Sequence, residues 1–250
     1  MERVEFENTR GLTLVGDYYS AESDKAVVMA HGFKGNRRQY GKFPEVTREL
    51  NRAGFNVLAF DFSGHGESDD EIITIENEVE DLKSAVEFIK SKNIEDVGLF
   101  GLSQGGCVVL ETLKEINEIS CAVLLNPLTS AVPSYWSEKL DETQEANLNE
   151  NGFIRWERGE GFREEYLVSE KLIEKKKNLD QDRILEDVEI PIKFIQGEKD
   201  ETISPEMTRK ASEKIEKASL EMIDDDHYWN DNVQKVAEIS AEYFQKHMPS

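Results

Sequence analysis

The sequence predicts an α/β protein: a mostly parallel sheet of eight strands, helices on both of its faces, and a small insertion late in the chain. Two observations carry that prediction. Short apolar runs that end in glycine or a polar turn alternate with amphipathic stretches, the pattern of strands joined by crossover helices. The alternation stops after Pro127 and resumes near Ile190, leaving a polar segment between. The length, 250 residues, suits one such domain with a sizeable core.

Taken in order, "RVEFEN" and "TLVGDYY" read as a strand pair joined through "TRG". "KAVVMAHGF" is a buried strand running into a glycine loop. "FPEVTRELNRAG" has helical spacing at Phe43, Val46 and Leu50, with Gly54 as its stop signal. "FNVLAFDFSGHG" is the next strand and its exit loop. "TIENEVEDLKSAVEFIKSK" is an amphipathic helix with Val79, Leu82, Val86 and Ile89 on one face. "DVGLFGLS" is a strand, "GGCVVLETLKEI" a helix that begins at once, and "SCAVLLNPL" a strand. Residues 1–127 and 188–250 therefore form the core, and 128–187 an insertion with a hairpin ("NGFIRWERGEGF") and one or two helices. After it come the strand "IPIKFIQG", the helix "SPEMTRKASEKI" with proline in its first turn, the strand "ASLEMID" and the final helix "DNVQKVAEISAEYFQKH".

Composition narrows the function. A net charge of −22 repels nucleic acid and anionic membranes, so neither is expected as a partner. It suits a high-salt habitat as well as an ordinary acidic cytosolic protein, and the 19 lysines weigh against the strongest form of salt adaptation. No apolar run is long enough for a membrane span, and "MERVEFENTRGLTL" lacks a signal-like apolar stretch, so a cytoplasmic location is expected. Cys107 and Cys121 lie in apolar stretches and read as core residues, while the four histidines lack ligand spacing; no metal and no cofactor are expected.

"Gly101-Leu102-Ser103-Gln104-Gly105" matches G-x-S-x-G between a predicted strand and a predicted helix, the context that pattern requires. A tight strand-to-helix turn lifts a serine hydroxyl clear of the backbone, and the helix N-terminus beneath favours developing negative charge. Ser103 is the candidate nucleophile. His227, in "IDDDHYWND" after the last strand, is the candidate base. Asp200, at the end of "IKFIQGEKD", is the candidate acid, with Glu198 and Glu201 as rivals in the same loop. Asp224, Asp225 and Asp226 stand too near His227 along the chain to face it and suit local capping. The candidate oxyanion donors are the backbone N–H groups of Gln104 and Phe33, with Gly32 allowing close approach. His31 then has a structural part. Trp136, Trp156 and Trp229 are candidates for the substrate pocket; for Trp136 and Trp156, which lie in the insertion, the alternative is an anchor that holds it to the core.

Through "HGF", "FDFSGHGES", "GLSQGG", "GEKDETI" and "DDHYW" the chain resembles the α/β-hydrolase superfamily over almost all its length. It looks most like small carboxylesterases such as the feruloyl (cinnamoyl) esterases and related lysophospholipase-like hydrolases, in which a short lid occupies the position of 128–187. The resemblance implies a triad of Ser103, Asp200 and His227 and an oxyanion hole at Phe33 and Gln104. It also implies a cofactor-free serine carboxylesterase acting on a small-molecule ester, as a monomer or homodimer. The acidic surface favours neutral esters. A peptidase or thioesterase with the same triad, and an idle hydrolase-fold binding module, are the alternatives; a haloalkane dehalogenase would need aspartate in place of Ser103.

Overall fold

The computed structural model describes residues 1–132, 140–157 and 163–248. Eight strands form one sheet in the order β1-β2-β4-β3-β5-β6-β9-β10. They are β1 (Glu2–Glu7), β2 (Thr13–Tyr19), β3 (Lys25–Ala30), β4 (Asn56–Phe60), β5 (Asp96–Leu102), β6 (Ile119–Leu125), β9 (Ile192–Gly197) and β10 (Ala218–Ile223). Only β2 runs against its neighbours; from β4 to β10 every pairing is parallel. The central strands are apolar throughout because helices cover both faces. Val28 aligns with Leu58 on one side and Leu99 on the other, and all three are fully buried.

Alternate strand residues feed two cores. Val27, Met29 and Val57 face α1 (Lys42–Arg52) and α8 (Val233–His247), where they meet Phe43, Val46, Leu50, Val236 and Phe244. Ala26, Val28, Leu58 and Leu99 face α2 (Ile75–Lys90) and α3 (Gln104–Thr112). The helical face read from the sequence, Val79, Leu82, Val86 and Ile89, is buried there. Thr74 starts α2 by accepting a hydrogen bond from the Asn77 N–H at 2.9 Å. Each such fully buried side chain contributes about 1.5–3 kcal/mol relative to exposure.

The helix after Ser103 is shorter than "GGCVVLETLKEI" suggests. It ends at Thr112, whose carbonyl takes the N–H groups of both Glu115 and Ile116 and turns the chain.

The 128–187 segment holds α4 (Glu142–Asn151), the antiparallel pair β7 (Phe153–Glu157) and β8 (Glu165–Ser169), α5 (Glu170–Lys177) and α6 (Gln181–Leu185). The hairpin's return strand falls later than the sequence pattern suggested, because Tyr166 and Val168 alternate inward and are fully buried. Helix α7 (Pro205–Lys214) precedes β10. The hairpin is tied to the core: Ile73 donates to the Leu167 carbonyl at 2.8 Å, Ser169 Oγ donates to the Ile73 carbonyl at 2.7 Å, and Tyr166 donates to the Lys34 carbonyl at 3.1 Å. Ile154, Leu172 and Ile173 extend the α2–α3 core into this segment.

Candidate active site

Ser103 stands between β5 and α3, at the N-cap position, with φ +54° and ψ −114°, a backbone region costly for any residue with a side chain. Its surroundings force the conformation. The Ser103 N–H donates to the Leu125 carbonyl at 2.9 Å, and the Ser103 carbonyl accepts from Gly106 and Leu128, each at 3.0 Å. The glycines around it leave no room for a side chain. A Cβ on Gly105 would lie 2.2 Å from the Ala30 carbonyl oxygen, and one on Gly101 would lie 2.7 Å from the Gly105 oxygen.

Asp200 and His227 come from the loops after β9 and β10. The Asp200 carboxylate is buried and accepts from the backbone N–H groups of Thr202 and Ile203, both at 2.8 Å. Its other oxygen faces His227 Nδ1 at 2.7 Å. That contact places the proton on Nδ1 and leaves Nε2 as the acceptor. Glu198 and Glu201, the rival acids, are exposed.

The His227 loop is held by its acidic neighbours. Asp225 accepts from the N–H groups of Asp226, Asp231 and Asn232 at 2.8, 3.2 and 2.7 Å. Burial alone would raise its pKa; these donors outweigh burial and hold the carboxyl below the ordinary aspartate value. Asp226 takes the N–H groups of Tyr228 and Trp229, at 2.7 and 3.1 Å. Asn126, buried at the end of β6, accepts from Gly197 N–H at 2.8 Å and donates to the Asp226 carbonyl at 3.3 Å, joining the two loops.

Ser103 and His227 line one cavity of about 820 Å³, together with Gly32, Phe33 and Gln104. Gly32 lies beside the nucleophile; a Cβ there would sit 3.5 Å from Ser103 Cβ, an ordinary contact. His31 lies behind, fully enclosed. Its Nδ1 bonds the Gly32 carbonyl at 2.9 Å and its Nε2 accepts from Phe62 N–H at 3.2 Å. Burial lowers its pKa, so it stays neutral and braces the loops. His65 is buried against it, its pKa also lowered by burial.

The tryptophan candidates separate. Trp229 lines the cavity, almost wholly buried. Trp156 stands behind Phe33, edge to face at 6.3 Å between ring centres, and is not among the lining residues. Trp136 lies outside the described residues. Two residues near the nucleophile escaped the sequence reading. Glu78 of α2 is buried with both carboxylate oxygens 2.6 Å from Gln104 Nε2, and burial raises its pKa. Lys176 of α5 is buried on the cavity wall. Both had a signal: each stands three or four residues from buried apolar neighbours on its own helix, Glu78 from Ile75 and Leu82, Lys176 from Leu172 and Ile173. Among the described residues no group of three or more His, Cys, Asp or Glu could hold a metal ion, and no helix is long and apolar enough to cross a membrane.

An eight-stranded sheet of this order, with a strained serine at the β5–α3 turn, is that of an α/β hydrolase. The chain belongs to the Hydrolase_4 family (serine aminopeptidase, S33), whose model matches residues 21–152. Among curated relatives, a carboxylesterase of Bacillus subtilis (strain 168) is 32% identical over 93 residues, 35% of either chain. The match thus spans about a third of that relative's length. Among solved structures, Est1E of Butyrivibrio proteoclasticus with ferulic acid bound has a TM-score of 0.80 at 20% identity, covering 98% of this chain and 99% of that one. The Pyrococcus furiosus esterase Pf2001 has a TM-score of 0.78 at 23% identity, covering 99% and 91%. The family match makes the chain a member of a hydrolase family, and the two structures share its fold.

Proposed function

We propose that the chain is a serine carboxylesterase using Ser103, His227 and Asp200. The observation that carries this reading is the 2.7 Å contact between His227 Nδ1 and Asp200, beside the cavity that Ser103 lines. Ser103 Oγ attacks the ester carbonyl carbon while His227 Nε2 takes its proton, and Asp200 stabilises the imidazolium. The carbonyl oxygen becomes the oxyanion and accepts from the backbone N–H groups of Phe33 and Gln104. The carbon–oxygen bond to the alcohol then breaks, His227 returns the proton to the leaving oxygen, and water repeats the sequence on the acyl-enzyme. A cavity of about 820 Å³ supports small to medium acyl or aryl esters. In this reading 128–187 is a lid: Leu128, Ala131, Val132 and Lys176 from it line the cavity.

A peptidase with the same triad is the second reading, favoured by the family's description as serine aminopeptidases. An aminopeptidase needs a carboxylate to hold the substrate's terminal ammonium, and among the described lining residues the only acid is exposed Glu201. That favours the ester. The test is a panel of esters of graded acyl and alcohol size, with matched amides and thioesters, against wild type and Ser103→Ala. Turnover of esters that Ser103→Ala abolishes supports the reading. Turnover that survives in Ser103→Ala removes Ser103 from the chemistry.

A further inference from the structure

The cavity wall runs against the charge of the rest of the molecule. The chain has 52 acidic and 30 basic residues. Yet the described residues lining the cavity include Lys34, Lys42 and Lys176, and only one acid, Glu201. Lys176 is the unusual one. It comes from the last turn of α5, it is only 5% exposed, and its Nζ sits 3.8 Å from the centre of the Phe33 ring. Lys34 Nζ lies 5.3 Å from the same ring and 4.1 Å from that of Trp156. Two lysines thus flank the side chain of a proposed oxyanion residue.

Lysine is rarely buried unless negative charge compensates it. Burial lowers the proton affinity of Lys176, and nearby Glu78 raises it again. Glu78 also accepts from the Gln104 amide through both carboxylate oxygens. A carboxylate entering the cavity would meet the amino groups of Lys176 and Lys34 on its wall and gain a charge-assisted hydrogen bond away from bulk water. Surface acids elsewhere oppose such a ligand only weakly, because salt at physiological strength screens exposed charges beyond about 8 Å.

We propose that Lys176, seconded by Lys34, forms an anion subsite in the active-site cavity and selects esters that carry a second, free carboxylate. The proposal rests on the esterase reading above and names its substrate class. The carboxylate can sit on the acyl side, as in a half-ester of a dicarboxylic acid, or on the alcohol side.

Two substrate pairs test it. Monomethyl adipate against dimethyl adipate probes the acyl side. 3-Acetoxybenzoate against 3-acetoxybenzamide probes the alcohol side. In at least one pair the charged ester should have the higher kcat/KM, by tenfold or more. Lys176→Met should cut that ratio at least tenfold, chiefly through KM, and Lys176→Arg should restore most of it. Thermal melts of both variants establish that they fold. A ratio at or below one in both pairs overturns the proposal. So does a Lys176→Met variant that slows both members of each pair equally, the result expected if Lys176 only balances Glu78. Calorimetry on Ser103→Ala, with and without Lys176→Met, separates the subsite from the chemistry. Binding of the charged esters that weakens at least tenfold without Lys176 supports the subsite whatever the nucleophile, whereas no binding, or binding indifferent to Lys176, overturns it. The esterase reading fails separately, through turnover that persists in Ser103→Ala.

Discussion

Asp200 shows how much one residue is asked to do. Its carboxylate is fully buried, held from one side by two backbone N–H groups and from the other by His227. Asp200→Asn keeps the shape but offers His227 an amide that can donate, so the imidazole can settle in the wrong tautomer. On the proposed mechanism kcat falls about 10⁴-fold, while the melting temperature moves little; steady-state kinetics beside a thermal melt checks both. Asp225 has the opposite profile. It touches no substrate in the proposed scheme, yet it accepts the three N–H groups that shape the His227 loop. Removing a charged acceptor of this kind costs about 1.5–3 kcal/mol, so Asp225→Asn should unfold at lower denaturant at pH 7. Its folded-state pKa lies below the ordinary value of 3.8, so its contribution is present above that value and is lost as pH falls through the depressed one. The gap between wild type and Asp225→Asn should therefore narrow in acid, which denaturant titrations at descending pH will read. A gap that widens in acid would contradict the assigned direction.

At the scale of elements, strands and helices divide into those the sequence announces and those it conceals. β3, β5 and β6 are announced because burial on both faces demands unbroken apolar runs, and glycine or asparagine marks where each must stop. The turn at Ser103 is announced for a related reason: Gly101 and Gly105 occupy places where backbone atoms leave no room for a Cβ. β8 is concealed. "EYLVS" is short, follows a charged stretch, and gains its strand character from pairing with β7 and from a bridge to Ile73, neither of which a local pattern encodes. Glu78 and Lys176 lie between the two: each shows in the sequence as a charge on an apolar helical face, and its place becomes plain only when the opposite wall is seen. The hairpin's inner face nevertheless belongs to the main core. Ile154→Ala measures that attachment. Ile154 is fully buried on β7, and truncation there should cost about 2–5 kcal/mol. If β7 were a loose flap, the loss would fall well below that range in an equilibrium denaturation experiment.

For the whole molecule the governing fact is a net charge of −22 on 250 residues. Like charges crowded on a folded surface raise its energy relative to an expanded chain, so screening should stabilise the fold. The Debye length shrinks from about 10 Å at 0.1 M salt to about 3 Å at 1 M. If repulsion is the main effect, the melting temperature should climb steeply over the first few tenths molar of sodium chloride and then flatten. Sulfate at equal ionic strength separates this from the general strengthening of apolar burial by kosmotropic salts, which keeps rising. The same field acts on substrates. An anionic ester must cross a repulsive outer potential before it meets the lysines inside, so added salt should raise its kcat/KM at first by speeding encounter. At higher salt, screening of the inner contact should lower it again, though less steeply because buried charges are screened less. A neutral ester should show neither limb. A melting temperature indifferent to salt up to 1 M would mean that the surface charges are already balanced locally, as the many short pairs such as Lys83 with Glu80 and Glu115 could accomplish, at 2.7 and 2.8 Å. It would remove the physical ground for expecting a salt-adapted protein.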